Sequence, residues 1–156
     1  MPLASLDEIR ARLGDEVGTS SWLRIDQARI DQFAEATEDR QFIHVDPELS
    51  AQMSPWGVPI AHGFLTLSLL THLLASVPQD PKALEGILMG VNYGFEKVRF
   101  VNPVKVNSRV RAQSTIANVE QKDANTLHVT RAITVEIEGE TKPALVAEWV
   151  TRLVYG

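Results

Sequence analysis

An aspartate and a histidine, Asp39 and His44, lie five residues apart in a polar segment between two predicted helices. An irregular connection at this point can direct both side chains toward one place. Histidine has an unperturbed pKa of about 6.5, so it can accept a proton near neutral pH and work with a carboxylate in acid–base catalysis. The spacing alone also fits an exposed loop aspartate beside a partly buried histidine, and both interpretations stay open at this stage.

Gly63 is a second candidate, because it follows Ile60-Ala61-His62 at the predicted start of an apolar helix. The first N–H groups of a helix have no partner within the helix, and they can bind an oxygen that gains negative charge during a reaction. A glycine also lets a substrate carbonyl approach the backbone closely. Close packing of helix against sheet explains the same glycine equally well. We expect His62 to be structural rather than catalytic.

Five basic residues occur between positions 97 and 111, with no acidic residue among them. All five occupy odd positions, while apolar residues occupy even positions, so extended strands would carry one basic face and one apolar face. In a chain of net charge −5, the basic face could bind phosphate groups of a ligand, although most charged faces simply meet water. The five residues are Lys97, Arg99, Lys105, Arg109 and Arg111.

Composition narrows the class of protein further. The 156 residues and 44% hydrophobic content fit one domain over residues 1–156. The negative charge disfavours nucleic-acid binding, and the absence of cysteine excludes disulfides and thiolate chemistry. The spacing of the histidines and acidic residues is not that of a metal site, so we expect no metal. The N-terminus lacks the pattern of a secretory signal, which indicates a cytoplasmic protein.

The first half of the chain is predicted to be mainly helical. Ser5-Leu6-Asp7-Glu8 has the pattern of a capping box, and Gly14 can end the helix that follows. Thr19 to Ile25 is predicted to be a strand. Asp26 can cap the next helix, and Asp46-Pro47-Glu48 has the residue types of another helix start.

The remaining elements are one buried helix and a set of strands. The helix from about residue 62 to residue 77 is uncharged and apolar almost all round, which favours burial in the core over a membrane span. Beyond Gly86 the apolar residues alternate with polar ones, most clearly over 127–137 and from residue 145 onward. Long strands joined by short turns predict an antiparallel sheet wrapped around the helix, in an α+β fold.

Several of these segments, taken in order, resemble the MaoC-like dehydratases, a family that includes the (R)-specific enoyl-CoA hydratases and the NodN-like branch. The resemblance covers most of the chain, from about residue 14 to residue 154. It is specific as a combination rather than in any single part. Its residues are Phe33-Ala34-x-Ala-Thr37-x-Asp39-x-x-x-Ile43-His44-x-Asp46-Pro47, Pro59-Ile60-Ala61-His62-Gly63-Phe64, Asn92-Tyr93-Gly94-x-x-Lys97-Val98-Arg99-Phe100 and Pro103-Val104.

The resemblance implies a hot-dog fold, in which an antiparallel sheet wraps around a long central helix, and it implies a homodimer. It assigns the acid–base pair to Asp39 and His44, the oxyanion-binding amide to Gly63, and a hydroxyl that orients the aspartate to Thr71. Asn92 is a further candidate for lining the site. The chain departs from the commonest pattern at Glu38, where glycine usually precedes the aspartate, and at Gln41-Phe42, where Asn-Pro is usual.

The function that the resemblance implies is the interconversion of trans-2-enoyl and (R)-3-hydroxyacyl thioesters by a lyase without a cofactor. The thioester would be carried by coenzyme A or by an acyl carrier protein. Two alternatives stay open: a hot-dog acyl-thioesterase, and a protein that binds acyl thioesters without turnover. Retention of both Asp39 and His44 favours the hydratase, because hydration needs both residues.

Overall fold

The computed structural model describes residues 3–156, apart from the side chains of residues 3–5, 16 and 17. Its helices are α1 (Leu3–Ala11), α2 (Gln27–Thr37), α3 (Phe42–Val45), α4 (Pro47–Met53), α5 (Gly63–Ser68) and α6 (Leu70–Ala75), followed by a 3-10 helix at Pro81–Leu84. Its strands are β1 (Glu16–Thr19), β2 (Leu23–Arg24), β3 (Ile87–Phe100), β4 (Arg109–Asp123), β5 (Thr126–Ile137) and β6 (Leu145–Tyr155).

All strand pairs are antiparallel, and the order across the sheet is β1-β4-β5-β6-β3, with β2 paired to β4. The inner face of this sheet packs on α5 and α6 through fully buried leucines such as Leu70 and Leu73 and strand residues such as Val110 and Val135. Each such side chain contributes about 1.5–3 kcal/mol when removed from water. An antiparallel sheet packed against the helical segment formed by α5 and α6 confirms the predicted α+β fold.

The start of the chain differs from its prediction in two places. Helix α1 begins at Leu3, ahead of Ser5, and the side chain of Ser5 lies outside the description. Of the strand predicted from Thr19 to Ile25, only Thr19, the last residue of β1, and Leu23–Arg24, which form β2, are strand residues, and β1 and β2 pair with separate parts of β4. The periodicity of the sequence could not show this, because the ends of β1 and β2 depend on which residues of β4 each of them pairs with.

The helix caps agree with their predictions. The Asp26 side chain accepts a hydrogen bond from the Arg29 N–H at 2.9 Å at the start of α2. At the start of α4, Asp46 accepts from the Leu49 N–H at 2.9 Å, and Pro47 occupies the first helical position. These caps fix the two helices on either side of the segment that holds Asp39 and His44.

The predicted continuous helix over residues 62–77 is interrupted, because α5 and α6 are separated at Leu69. Leu69 has φ −74° and ψ −7°, and its N–H is shared between the carbonyls of Leu65 and Leu67. Just before it, the Ser68 hydroxyl donates to the Phe64 carbonyl at 2.7 Å, a contact that commonly bends helices. Within residues 3–156, none of the helices is long and apolar enough to cross a membrane.

Strand β3 is the exposed edge of the sheet, since it pairs with β6 and with no other strand in the described part of the chain. It is 14 residues long, and several of its apolar side chains are open to solvent. Leu88 is 70% exposed and Tyr93 61% exposed. A long, apolar, unpaired edge favours association with another strand.

Candidate active site

Asp39 and His44 are brought together by the short segment between α2 and α4. Helix α2 ends at Thr37, and its C-cap Glu38 takes the left-handed conformation, with φ 63° and ψ 16°. The chain then forms the one-turn helix α3, which carries His44 into the interior. The predicted irregular connection is therefore partly helical. The positive φ at position 38 explains why a glycine, which adopts it without strain, suits this position.

The hydrogen bonds of His44 define its tautomer. Its Nδ1 lies 2.7 Å from the Ile60 carbonyl oxygen, and because that oxygen can only accept, Nδ1 must carry the proton. The other ring nitrogen, Nε2, then presents a lone pair. The side chain is 6% exposed, and burial is the main reason that the pKa of His44 is lowered, with His62 lowering it further. The Ile60 hydrogen bond and Asp39 oppose that shift. A neutral His44 can act as a base.

His62 belongs to this site, although nothing in the local sequence places it beside Asp39. Its Nε2–H donates to the backbone carbonyl of Asp39 at 2.9 Å, and its ring stacks on His44 with centroids 3.8 Å apart. The His62 side chain is buried, and its Nδ1 has no hydrogen-bond partner among the described residues. These contacts agree with the expectation that His62 is structural. They give it a positioning role, because it holds the backbone of Asp39 and packs on one face of the His44 ring.

Asp39, His44 and His62 each offer one potential ligand atom within 4.8 Å of the others. Sequence spacing did not indicate this group, because residues 39 and 62 are far apart in the chain. The two rings are stacked with only 21° between their planes, so their in-plane lone pairs do not converge on one point as a metal ion requires. This geometry suits proton transfer better than coordination, and the absence of a metal stays a prediction.

Gly63 begins α5 beside His44. In the described part of the chain its N–H has no acceptor. Gly63, His44 and Phe100 line a mainly apolar cavity of about 340 Å³. A Cβ at position 63 would lie 2.9 Å from the Phe100 ring, so the glycine permits the close approach of β3. Both predicted reasons for a glycine, an open amide and close packing, therefore apply at this position.

Thr71 and Asn92 lie together, but away from Asp39 and His44. They line a separate cavity of about 160 Å³ with Ser68 and Trp149. Thr71 is exposed and has no hydrogen bond to Asp39 within the described chain. A single subunit therefore does not bring the Thr71 hydroxyl to the aspartate that it was predicted to orient.

The prediction that the five basic residues between positions 97 and 111 form one continuous face is wrong. Lys97 and Arg99 are on β3, Arg109 and Arg111 are on β4, and β5 and β6 separate these strands in the sheet. Lys105 lies in the connection between them. The sequence periodicity could not show that the chain leaves one strand at residue 100 and enters the next at residue 109. Beyond that turn, odd positions no longer belong to the same face of one strand.

Carboxylates already neutralise most of these basic groups. Arg109 is paired with Glu138 and Arg111 with Glu136, and both guanidinium groups also lie over the Trp22 ring. Lys97 is 4.0 Å from Glu148. Arg99 and Lys105 have no carboxylate partner in the described part of the chain, so they are the remaining candidates for a phosphate-binding role.

The chain is similar to known proteins in both sequence and structure. The profile described as "MaoC like domain" matches residues 8–138. The chain belongs to this family. It is 50% identical to nodulation protein N of Rhizobium leguminosarum bv. viciae over 147 residues, which are 94% of this chain and 89% of that protein. It is 45% identical to 3-hydroxyacyl-thioester dehydratase Z of Mycobacterium tuberculosis (strain ATCC 25618 / H37Rv) over 150 residues, 96% of each chain.

A solved structure of an (R)-hydratase from A. caviae has the same fold, with a TM-score of 0.64, 24% sequence identity, and coverage of 86% of this chain and 95% of that one. The predicted hot-dog fold and membership of the MaoC-like family are confirmed. The reaction class, a hydratase or dehydratase of the lyase type, is confirmed at this coarse level by the family and its relatives.

Proposed function

We propose that this MaoC-like protein interconverts trans-2-enoyl and (R)-3-hydroxyacyl thioesters of coenzyme A, with Asp39 and His44 as its acid–base pair. The observation that carries the proposal is the fixed tautomer of His44. Its Nδ1 proton is held by the Ile60 carbonyl, so Nε2 carries the lone pair, and a ring nitrogen of His44 lies within 4.8 Å of an Asp39 carboxylate oxygen. A pair of this kind contributes about 10²–10⁴-fold to a reaction that moves protons.

In the hydration direction, a water molecule between Asp39 and His44 would lose a proton to His44 Nε2 as its oxygen bonds to C3. The Asp39 carboxylate would receive this proton from His44 and pass it to C2, which restores the starting state of both residues. The dehydration direction uses the same transfers in reverse.

The Gly63 N–H would bind the thioester carbonyl oxygen as negative charge develops on it. The first turn of α5 adds the positive end of its dipole, which acts only over about one turn, so the interruption at Leu69 removes little of it. Loss of one such donor typically costs about 10²–10³-fold in rate. The neighbouring apolar cavity of about 340 Å³, which includes Phe64 and Phe100, would hold the thioester end of the substrate.

Two basic side chains support coenzyme A as the carrier. Arg99 immediately precedes Phe100, and Lys105 immediately follows Val104, and these two neighbours line the cavity beside His44. Arg99 and Lys105 are exposed and free of carboxylates in the described structure, so they can meet phosphate groups at the cavity mouth. A phosphopantetheine arm on an acyl carrier protein presents fewer phosphates to these residues.

A homodimer is part of the proposal, since the single chain leaves the site incomplete. Asp39 and Thr71 are both exposed, and within residues 3–156 the apolar edge strand β3 pairs with another strand on one side only. Pairing of β3 with the same strand of a second subunit would cover its apolar residues. It would also allow the Thr71 hydroxyl to contact an aspartate, which it does not do within one chain.

The experiment that tests the function follows the loss of enoyl-thioester absorbance when the purified protein meets trans-2-enoyl-CoA substrates of several chain lengths. The expected product is the (R)-3-hydroxyacyl-CoA, identified by chiral analysis. Asp39→Asn and His44→Gln should each lower kcat by about 10²–10⁴-fold while leaving the fold intact by circular dichroism.

Near-full turnover in either single variant would show that the acid–base assignment is wrong. Release of free thiol instead of hydration would favour the thioesterase alternative. Tight binding of the substrates without any turnover would favour the non-catalytic alternative.

A further inference from the structure

A cavity of about 230 Å³ lies between α6 and the inner face of the sheet. It shares Thr71 and Trp149 with the cavity that contains Asn92, so the two adjoin along the central helical segment. Its walls are partly apolar, through residues such as Leu74 and Val77. In the proposed dimer, an acyl chain bound at the active site of a second subunit and entering from the Asn92 side would therefore reach this cavity by following α6.

Arg131 lies on the inner face of β5 and lines this cavity without a counterion. It forms no hydrogen bond or ion pair with any described residue, and it is only partly exposed. Burial, together with the positive charge of Arg12, lowers the pKa of Arg131. Arg12 and Arg131 also line a smaller adjoining cavity. A buried guanidinium without an acceptor is costly to the fold, which is why such groups normally have a carboxylate partner.

Two unpartnered hydroxyls flank the same arginine. Ser114 Oγ and Thr151 Oγ1 are buried, line the cavity, and have no hydrogen-bond partner among the described residues. In the sheet, Arg131 pairs with Ile116 on β4 and with Trp149 on β6. Ser114 and Thr151 are therefore its diagonal neighbours, at about 7–8 Å, a distance that a long side chain can span.

We propose that this cavity binds an anionic group, and that this group is a carboxylate at the distal end of the acyl chain; the second part rests on the proposed function. The guanidinium and the two hydroxyls supply donors from three adjacent strands, and within the described cavity no side chain provides the negative charge that they lack. A carboxylate matches a guanidinium in charge and in geometry. A methyl-ended chain would leave all three groups without partners.

The test compares matched trans-2-enoyl-CoA substrates of equal length, one ending in a methyl group and the other in a carboxylate, over short, medium and long chains. At the length that fits the cavity, the wild-type enzyme should prefer the carboxylate in kcat/KM. Arg131→Met should lower this preference by about tenfold to a hundredfold, the usual effect of losing a charge-assisted hydrogen bond. The matched control is Arg152→Met, because Arg152 is exposed on the outer face of β6 next to Thr151.

Thr151→Val gives a readout that a merely structural role would not produce. Replacing the unpartnered hydroxyl by a methyl group of similar size should raise Tm by about 2–4 °C while lowering the preference for the carboxylate. A threonine that served only the fold would give no change in preference. Arg131→Lys should retain part of the preference, because it keeps the charge but not the bidentate geometry.

The inference would be overturned if the wild-type enzyme hydrated both substrates equally at every length, or if Arg131→Met left the preference unchanged. It would also be overturned if Arg131→Met impaired methyl-ended coenzyme A substrates but not the corresponding pantetheine thioesters, since the anion would then be a phosphate of the carrier. Failure of the proposed function has a different pattern, in which neither substrate is hydrated by the wild-type enzyme.

Discussion

The protonation state of His44 is decided by its immediate neighbours. The Ile60 carbonyl fixes the tautomer, and burial lowers the pKa, so the neutral ring is the resting form near neutral pH. His62 adds to the lowering, while Asp39 acts in the opposite direction. The site thus combines a base that stays neutral with a nearby carboxylate, which is the requirement for reversible addition of water.

His44 should make stability depend on pH in a defined direction. Because its pKa is lower in the folded state, the unfolded chain binds the proton more readily, and the free energy of unfolding should fall as the pH drops below about 6.5. Denaturant titrations from neutral pH down to about pH 5 should show this loss, and His44→Gln should reduce it. His72→Gln, at an exposed position of α6, is the control. An equal slope in both variants would contradict the assignment.

His62 should act as a positioning residue. His62→Phe keeps a ring against His44 but removes the hydrogen bond to the Asp39 carbonyl, so kcat should fall by about 10- to 100-fold. Because His62 lowers the pKa of His44, the acid limb of the kcat/KM profile should also move to higher pH. A fall in activity without movement of the acid limb would indicate that His62 affects only packing.

At the scale of elements, the turn between α2 and α3 sets the direction of Asp39. Its left-handed residue is Glu38, at the position where the resemblance to the family implies a glycine. A side chain in this conformation costs about 1–2 kcal/mol, and part of that strain is offset because glycine has more freedom to lose on folding. The chain therefore keeps the turn geometry with a residue that does not favour it.

Glu38→Gly should raise the free energy of unfolding by about 0.5–1 kcal/mol, measured by urea denaturation. Glu38→Ala is the matched control, since alanine removes the carboxylate but retains the strain, and it should change stability much less. Destabilisation by Glu38→Gly would mean that the Glu38 side chain makes a contribution larger than the strain of its backbone.

At the scale of the whole molecule, strand β3 is the feature that one subunit leaves unsatisfied. Its exposed apolar residues, which include Val91 and Tyr93, lie along an edge that none of the other described strands pairs with. Asp39 and Thr71 are exposed in the same subunit. A second subunit on this edge would cover apolar surface and complete the site in one step.

Val91→Lys combined with Tyr93→Lys should convert the protein to a monomer in sedimentation velocity and lower kcat/KM by at least about tenfold, because buried lysines oppose association along an edge strand. Met53→Lys, at an exposed apolar position of α4, should change neither property. A wild-type protein that sediments as a monomer with full activity would refute the dimer.

Local sequence determined the features that depend on near neighbours. The caps at Asp26 and Asp46 need only the residues of their own first turns, and the alternation in β5 and β6 follows from one buried sheet face. The motif around Asp39 and His44 could be found for the same reason, since both residues belong to one short segment. Family resemblance then added the hot-dog fold.

Tertiary structure alone decided what depends on distant parts of the chain. His62 reaches Asp39 because α5 begins beside α3. Among the described residues Arg131 has no counterion, because its diagonal neighbours on β4 and β6 are hydroxyls rather than carboxylates. The basic residues do not share one face, because β5 and β6 separate β3 from β4. Carboxylates on neighbouring strands also neutralise some of them, as Glu136 does for Arg111. Strand register sets these contacts, and register is a property of the whole sheet that local periodicity does not contain.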